Sequence, residues 1–292
     1  MVEKLRTRKK LRALCTLIIL FGIMLLGIFI AENLTELRAR HVPQYSMADL
    51  GEYVEKEELN EDDYSTVFLQ TGLGKEGFDQ LRAFTLSSRQ MEGKLQELQK
   101  GIFEPGELNC RKIGIITHEE RMEEPWTTNT KIIYGMLRDG DVLLSYSTHS
   151  LGWRHGHAGI VVDAENGKVL EAAIWGENSE LRNARHWLTY PTFIHLRLKE
   201  EYQTPGYETL LTEYSMENLH DIPYGLVSSL WMKMQNEVEN TQCAYEVWQA
   251  YQQLGLDIDS DGTFLVTPQD IAGSEYFQVV QAYGVDLQFF ME

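Results

Sequence analysis

Three side chains suited to acyl-transfer chemistry lie in the second half of the sequence. His157 and Glu171 share the segment GWRHGHAGIVVDAENGKVLEAA, and Cys243 lies in NTQCAYEVWQAYQQLG. A thiolate is a nucleophile, and an imidazole beside it can take the thiol proton and later give it to a leaving group. An acid behind the imidazole fixes its tautomer. The elements that must position them are readable. Ala158 to Val162 and the run that ends at Glu171 flank an Asn-Gly signal, which predicts a β-hairpin. Strand alternation puts His157, Gly159 and Val161 on one side, and Val169, Glu171 and Ala173 on one side of the return strand. The two sides coincide in one register and oppose each other after a one-residue slip. In the cysteine segment Ala244, Val247, Trp248, Tyr251 and Leu254 recur at helical spacing, with Asn240 or Thr241 as cap and Gly255 as stop. Cys243 then falls in the first turn, where unpaired N–H groups and the helix dipole favour the thiolate. Taken singly, the cysteine also suits a small core position and the histidine a hydrogen-bonded sheet position.

The 292 residues are enough for one sizeable domain with accessories, or for two small ones. Net charge is −18, unevenly placed: six basic residues against Glu3 give the first twelve residues +5 and leave −23 on the rest. So acidic a surface argues against nucleic acid, whose phosphates need clustered Lys and Arg. Ala13 to Ala31 is the one long uncharged run, and as a helix it spans roughly 28 Å, the thickness of a bilayer core. The basic block before it predicts a cytoplasmic N-terminus, with everything after Glu32 outside. A cleaved signal peptide is the rival, but the run exceeds the usual apolar region and Gly27 to Glu32 makes a poor cleavage site.

Of three cysteines, Cys15 lies in the apolar run, while Cys110 and Cys243 could pair in an oxidising compartment but have no framework spacing. His41 to about Glu124 reads as mostly helical, with SSRQMEGKLQELQKG a solvated helix and QTGLG a turn between helices. No phosphate-loop chemistry attaches to that turn, since a preceding strand and a Lys-Ser/Thr pair are missing, and the region reads as a spacer and helical cap. From Gly140, strands are predicted at Asp141–Ser145, in the hairpin and at Phe193–Leu198, forming a small antiparallel sheet. Helices are predicted at Tyr207–Leu219 and Gly225–Met234. Asp257-Ile-Asp-Ser-Asp-Gly imitates half a calcium loop but has Pro268 where the bidentate Glu belongs. Thr267-Pro268-Gln-Asp270 reads as a helix start. His149, His155 and His157 do not match a common zinc spacing and no acidic ligand is evident, so no metal or cofactor is expected.

The succession GDVLLS, GHAGIVV, VLEA, TQCAYEVWQAY and FLVTPQDIA resembles the circularly permuted branch of the NlpC/P60 papain-like superfamily, the YaeF/YiiX type, in which the histidine strand precedes the cysteine helix. The resemblance covers roughly Arg138 to Tyr283. It implies that Cys243 is the nucleophile and His157 its partner, that Glu171 occupies the place of a variable polar third residue, and that Tyr224 of IPYG matches a tyrosine often found ahead of the cysteine, as a substrate-binding candidate. Many relatives follow the cysteine with Ser or Thr and then an acid, whereas here Ala244 and Tyr245 precede Glu246. The expected architecture is α+β: a basic tail at 1–12, a transmembrane anchor at 13–31, a helical accessory region at 32–137 and a permuted papain-like domain at 138–292. The expected function is a membrane-anchored, extracytoplasmic cysteine hydrolase acting on amide (cell-wall peptide) or acyl bonds through a Cys-His thioester mechanism. The alternatives are a lipid acyl hydrolase or acyltransferase, or an inactive envelope-binding module on the same fold. The oligomeric state is left open.

Overall fold

The computed structural model of the chain describes residues 2–84, 87–104, 106–123, 136–225, 233 and 238–291. The first element, α1 (Val2–Thr35), is one continuous helix. Its stretch Arg12–Thr35 is long and apolar enough to cross a membrane. Its apolar side chains are bare, Leu17 at 63% and Phe29 at 65% exposure, so no protein core satisfies them. The end of this helix rests on the polypeptide beside the histidines. Thr35 Oγ1 donates to the Gly152 carbonyl at 3.0 Å, Arg154 Nη2 donates to the Thr35 carbonyl at 2.6 Å, and Glu32 accepts the Gly152 N–H.

Four helices follow: α2 (Gly51–Glu55), α3 (Glu61–Thr71), α4 (Lys75–Ala83) and α5 (Ser88–Phe103). Reciprocal capping boxes, Asn60 with Asp63 and Ser87 with Gln90, satisfy the first N–H groups of α3 and α5. Their apolar faces enclose a core of Leu50, Val67, Phe78, Leu81, Leu95 and Leu98. Where the sequence reads as helical up to Glu124, the structure has two strands, β1 (Leu108–Lys112) and β2 (Thr117–Met122). The two strands pair with each other, and β2 also pairs with β4 (Thr148–Ser150), which completes a three-stranded sheet beside the histidines. Local pattern could not report that pairing.

The larger sheet is fully antiparallel and six-stranded. Its strands are β3 (Val142–Ser145), β5 (His157–Asp163), β6 (Lys168–Glu171), β7 (Glu180–Asn183), β8 (Phe193–Leu198) and β9 (Phe277–Tyr283), in the order β7-β6-β5-β3-β8-β9. The strands β3, β5 and β8 are buried nearly throughout, which matches their continuous Val, Ile and Leu runs. Helix α6 (Tyr207–Tyr214) and helix α7 (Cys243–Gln252) pack against β5, and the short α8 (Pro268–Ala272) begins with the Thr267 cap and first-turn proline read from sequence. The helix expected at Gly225–Met234 lies almost wholly outside the described residues. The molecule is therefore α+β, built on antiparallel sheets, with one apolar helix at its N-terminus.

The helical layer is joined to the large sheet by backbone bonds and by buried charge. QTGLG is the expected turn between α3 and α4, and it also lies along β9: Ala282 N–H donates to the Gly72 carbonyl at 2.7 Å and Gly74 N–H to the Val280 carbonyl at 3.0 Å. From β8, Arg197 reaches Glu76 on α4 at 2.6 Å and Asp141 at 2.6 Å, while His195 Nε2 sits 2.7 Å from the same Asp141. Removing one partner of such a buried set leaves an uncompensated charge, at a cost of about 3–5 kcal/mol.

A Cβ at Gly74 would lie 1.8 Å from the Val279 carbonyl oxygen, whereas one at Gly93 in α5 meets nothing within 4 Å. Gly74→Ala should therefore lower stability by about 2–3 kcal/mol, and Gly93→Ala should raise it by about 0.5–1 kcal/mol through helix propensity. Thermal unfolding of both variants in one detergent checks this. Equal stabilities would show that the helical layer is not seated on β9.

Candidate active site

The hairpin register decides where Glu171 points. Val161 pairs directly with Val169 and Ile160 with Leu170, so the His157 side of β5 and the Glu171 side of β6 are the same side of the sheet. Gly159 makes the room. A Cβ there would lie 2.7 Å from Val169 Cγ1 and 3.0 Å from Glu171 Cγ. His157 Nε2 lies 2.8 Å from Glu171 Oε2, Trp187 Nε1–H donates to Oε1 at 2.7 Å, and His186 Nε2 stands 3.2 Å from Oε2. The His157 ring stacks on Trp187, with centroids 5.2 Å apart and planes 13° from parallel. Glu171 and Trp187 are fully buried.

These contacts set the charges. Burial would raise the Glu171 carboxyl, but His186 and His157 outweigh it and hold the group down at about 2. Burial would lower the His157 imidazole, but hydrogen bonding to Cys243 and the Glu171 carboxylate push it up to about 10. The ring is thus an imidazolium at neutral pH. With Nε2 given to Glu171, Nδ1 is the nitrogen left to serve Cys243.

Cys243 opens α7, which packs against β5. The cap is Gln242, neither Asn240 nor Thr241: its Oε1 accepts the Ala244 N–H at 3.1 Å and its Nε2 donates to the Val266 carbonyl at 3.0 Å. The long amide can fold back to the first turn because Val266 holds its other end. The Cys243 sulphur lies 3.5 Å from that same Oε1. First-turn N–H groups lack intrahelical acceptors, so this end of the helix can also receive an oxyanion.

The cysteine sits in the wall of a cleft of about 430 Å³ whose lining includes Ile115, Leu151, Trp153, Trp175, Tyr224 and Leu265. Several of these apolar side chains are bare: Ile115 is 70% exposed, Trp153 56% and Trp175 53%. Tyr224 stands beside the thiol, and burial followed by the Cys243 charge pushes its phenol up, so it remains an O–H donor. Ile115 and Thr117 come from the region read as a spacer without a part in the site. That reading is corrected by the pairing of β2 with β4, which carries the β1–β2 turn to the cleft.

His155 also lines the cleft, but Ser150 Oγ occupies its Nε2 at 3.0 Å and the Gly156 carbonyl its Nδ1 at 2.9 Å. Cys110 and Cys243 are both free thiols. In the DIDSDG segment, Asp257 accepts the Trp248 indole N–H at 2.7 Å and Asp259 pairs with Lys233, while Asp259 and Asp261 stand close to Asp270.

Sequence reading did not single out Trp187 and His186. They lie in a 3-10 turn, Ala184–Thr189, whose composition carries no chemical signal, and only the fold folds it back over the hairpin. Glu246, one turn after Cys243, is fully buried, and neither carboxyl oxygen has a hydrogen-bond partner among the described residues. Burial first, then the charges of Cys243 and Glu171, push it well above the usual carboxylate value of 4.5. It is a neutral acid beside an ionised one.

No known protein-family model and no curated protein matches the sequence. Among solved structures the chain is similar to metalloprotein yiiX (DUF1105) of Escherichia coli O157:H7. The identity is 14%, over 50% of this chain and 98% of that one, and the TM-score is 0.39. A likeness at that level carries no argument.

An acid whose value is raised by folding binds a proton that the unfolded chain has released, so its contribution to stability falls as pH rises. For Glu246 that loss begins near 4.5 and continues upward toward its raised value. Glu246→Gln, which mimics the neutral acid, should remove this slope. The variant should gain on the wild type by up to about 1.4 kcal/mol per pH unit within the window. Denaturant unfolding of both proteins between pH 5 and about pH 8 measures the difference, and parallel curves would mean that Glu246 is ionised in the fold.

Proposed function

We propose that the protein is a membrane-anchored cysteine acyl hydrolase or acyltransferase of the permuted NlpC/P60 papain-like kind, working through a Cys243–His157–Glu171 relay. The observation that carries the reading is the conjunction of a thiol at a helix start with an imidazolium braced by a buried carboxylate, at the wall of an open cleft. In this mechanism the Cys243 thiolate attacks the substrate carbonyl, and the oxyanion is met by first-turn N–H groups and the Tyr224 hydroxyl. The His157 imidazolium protonates the departing alcohol or amine, leaving a Cys243 thioester. Neutral His157 then takes a proton from water or an acceptor hydroxyl, which attacks the thioester and frees the thiolate. Glu171 stays ionised and orients the ring throughout.

The cleft favours the acyl side of the substrate question. Its bare Ile115, Leu151, Trp153 and Trp175 offer apolar surface but few partners for the amides and carboxylates of a cell-wall peptide, and the end of α1 rests on Gly152 between Leu151 and Trp153. The bare apolar length of α1 needs lipid around it. The basic block at its start puts residues 1–12 in the cytoplasm and the catalytic domain outside. The mouth of the cleft then opens beside the bilayer, where an acyl chain is at hand.

Full-length protein in detergent, incubated separately with acyl esters of increasing chain length and with purified wall peptides, tests the reading. Turnover should rise with acyl length, and mass spectrometry should find the acyl group on Cys243. Cys243→Ala should abolish activity, and His157→Ala should reduce it by about 10³-fold or more, without further loss in the double variant. Because Glu171 helps to hold His157 up, the alkaline limb of turnover, near pH 10 in the wild type, should move toward neutrality in Glu171→Gln. Turnover of wall peptides alone would turn the substrate assignment over, and full turnover in His157→Ala would defeat the mechanism. For topology, protease added to intact protoplasts should remove the domain and spare the first dozen residues. A protected domain would refute the orientation.

A further inference from the structure

Away from the cysteine, three metal-ligating side chains from distant parts of the chain converge. Glu32 is in the last turn of α1, His118 is in β2 and His149 is in β4. The strands pair with His118 directly opposite His149, so both imidazoles leave the same face of the small sheet, with ring centroids 5.5 Å apart and planes 21° from parallel. Their Nδ1 atoms lie 2.6 Å and 2.9 Å from one and the same oxygen, Glu32 Oε1. All three ligand atoms fall within 4.8 Å of one another.

Those distances are short enough for hydrogen bonds, yet Glu32 Oε1, His118 Nδ1 and His149 Nδ1 are all buried without one among the described residues. The N–H directions that would make Glu32 a twofold acceptor are therefore not met. Three buried ligand-type atoms that crowd together without hydrogen bonds call for another partner, and a cation is one that can serve all three. Glu32 Oε2 is meanwhile held by the Gly152 N–H, which fixes the carboxylate. On the far side of the His149 ring, Nε2 contacts Cys110 Sγ at 3.7 Å, with Glu120 Oε1 further off at 3.8 Å, so the second ring nitrogen is engaged away from Glu32.

We propose that Glu32, His118 and His149 form a binding site for a divalent transition-metal ion, zinc above all. Two imidazoles and one carboxylate suit zinc at about 2.0–2.2 Å per ligand, with the fourth tetrahedral position left to water. Tetrahedral ligands at that length stand about 3.3 Å apart, so the cluster opens by about half an ångström to admit the ion. The role follows from the face. Thr117 and Ser150, the neighbours of His118 and His149, line the cleft that holds Cys243, and alternation sends the histidines to the opposite side of the sheet. The ion does not touch the reacting atoms. It clamps the end of the membrane helix to β2 and β4, and so fixes the anchor against the sheet that forms one wall of the cleft.

Zinc content, zinc affinity and unfolding of the full-length protein in chelator-free detergent test the site. Wild type loaded with zinc chloride and desalted should retain one zinc per chain, and X-ray absorption should show two imidazoles and one carboxylate around it. His118→Ala, His149→Ala and Glu32→Gln should each weaken zinc binding by about 100-fold or more, while the exposed-histidine control His220→Ala leaves it unchanged. A chelator should lower the unfolding temperature of wild type and leave the three variants unmoved. Wild type that retains no zinc, or variants that retain it at full stoichiometry, would overturn the proposal, and the wild-type arm decides even if a variant fails to fold. Because none of these readouts involves turnover, failure of the zinc site is distinguishable from failure of the acyl-transfer mechanism.

Discussion

Glu171 is the group on which the site depends. A carboxylate with no solvent exposure is costly to bury, and it survives as an ion because His157 and Trp187 hydrogen-bond to it and His186 stands 3.2 Å from Oε2. The same contacts fix the imidazole. The ring is bonded at Nε2 and stacked against Trp187, and its value is pushed up to about 10 by Cys243 and Glu171 against the opposing effect of burial. The hairpin register serves this arrangement, and Gly159 is required because any side chain there would strike Val169 and Glu171. A one-residue slip would put the acid on the wrong side of the sheet.

Two acids near one thiol are kept in opposite states by their surroundings. Glu171 has cationic and N–H partners that hold its value down, whereas Glu246 has no hydrogen-bond partner among the described residues and burial pushes its value well up. A second anion beside the thiol would repel any charge formed there, and a protonated Glu246 adds none.

The cleft is assembled from parts far apart in the chain. The β1–β2 turn provides Ile115 and Thr117, the loop after β4 provides Leu151 and Trp153, and the start of α7 provides Cys243. The N-terminal helix reaches the same loop through Thr35 and Arg154. Cleft lining, thiol and N-terminal helix thus meet around one short strand, β4, which makes the segment before Gly140 structurally continuous with the cleft.

Periodicity and composition were enough for the antiparallel, mixed α and β character, the apolar N-terminal helix, the hairpin that bears His157 and Glu171, and the first-turn position of Cys243. Each depends on interactions within a few residues: alternation, a turn signal, a helical stripe with its stop. The strands at 108–122 escaped because LNCRK and THEERM are polar and weakly patterned, and their pairing with each other and of β2 with β4 is what makes them strands. Trp187 and His186 escaped because an aromatic and a histidine in a loop acquire meaning only from what the loop folds over. Gln242 displaced the expected cap because its other end is held by Val266, 24 positions away. His149 looked ligandless for the same reason: its nearest carboxylate, Glu32, is 117 positions upstream and belongs to another element. What acts within a turn or a strand could be read from the residues in order, and what acts between elements was decided when packing brought them together.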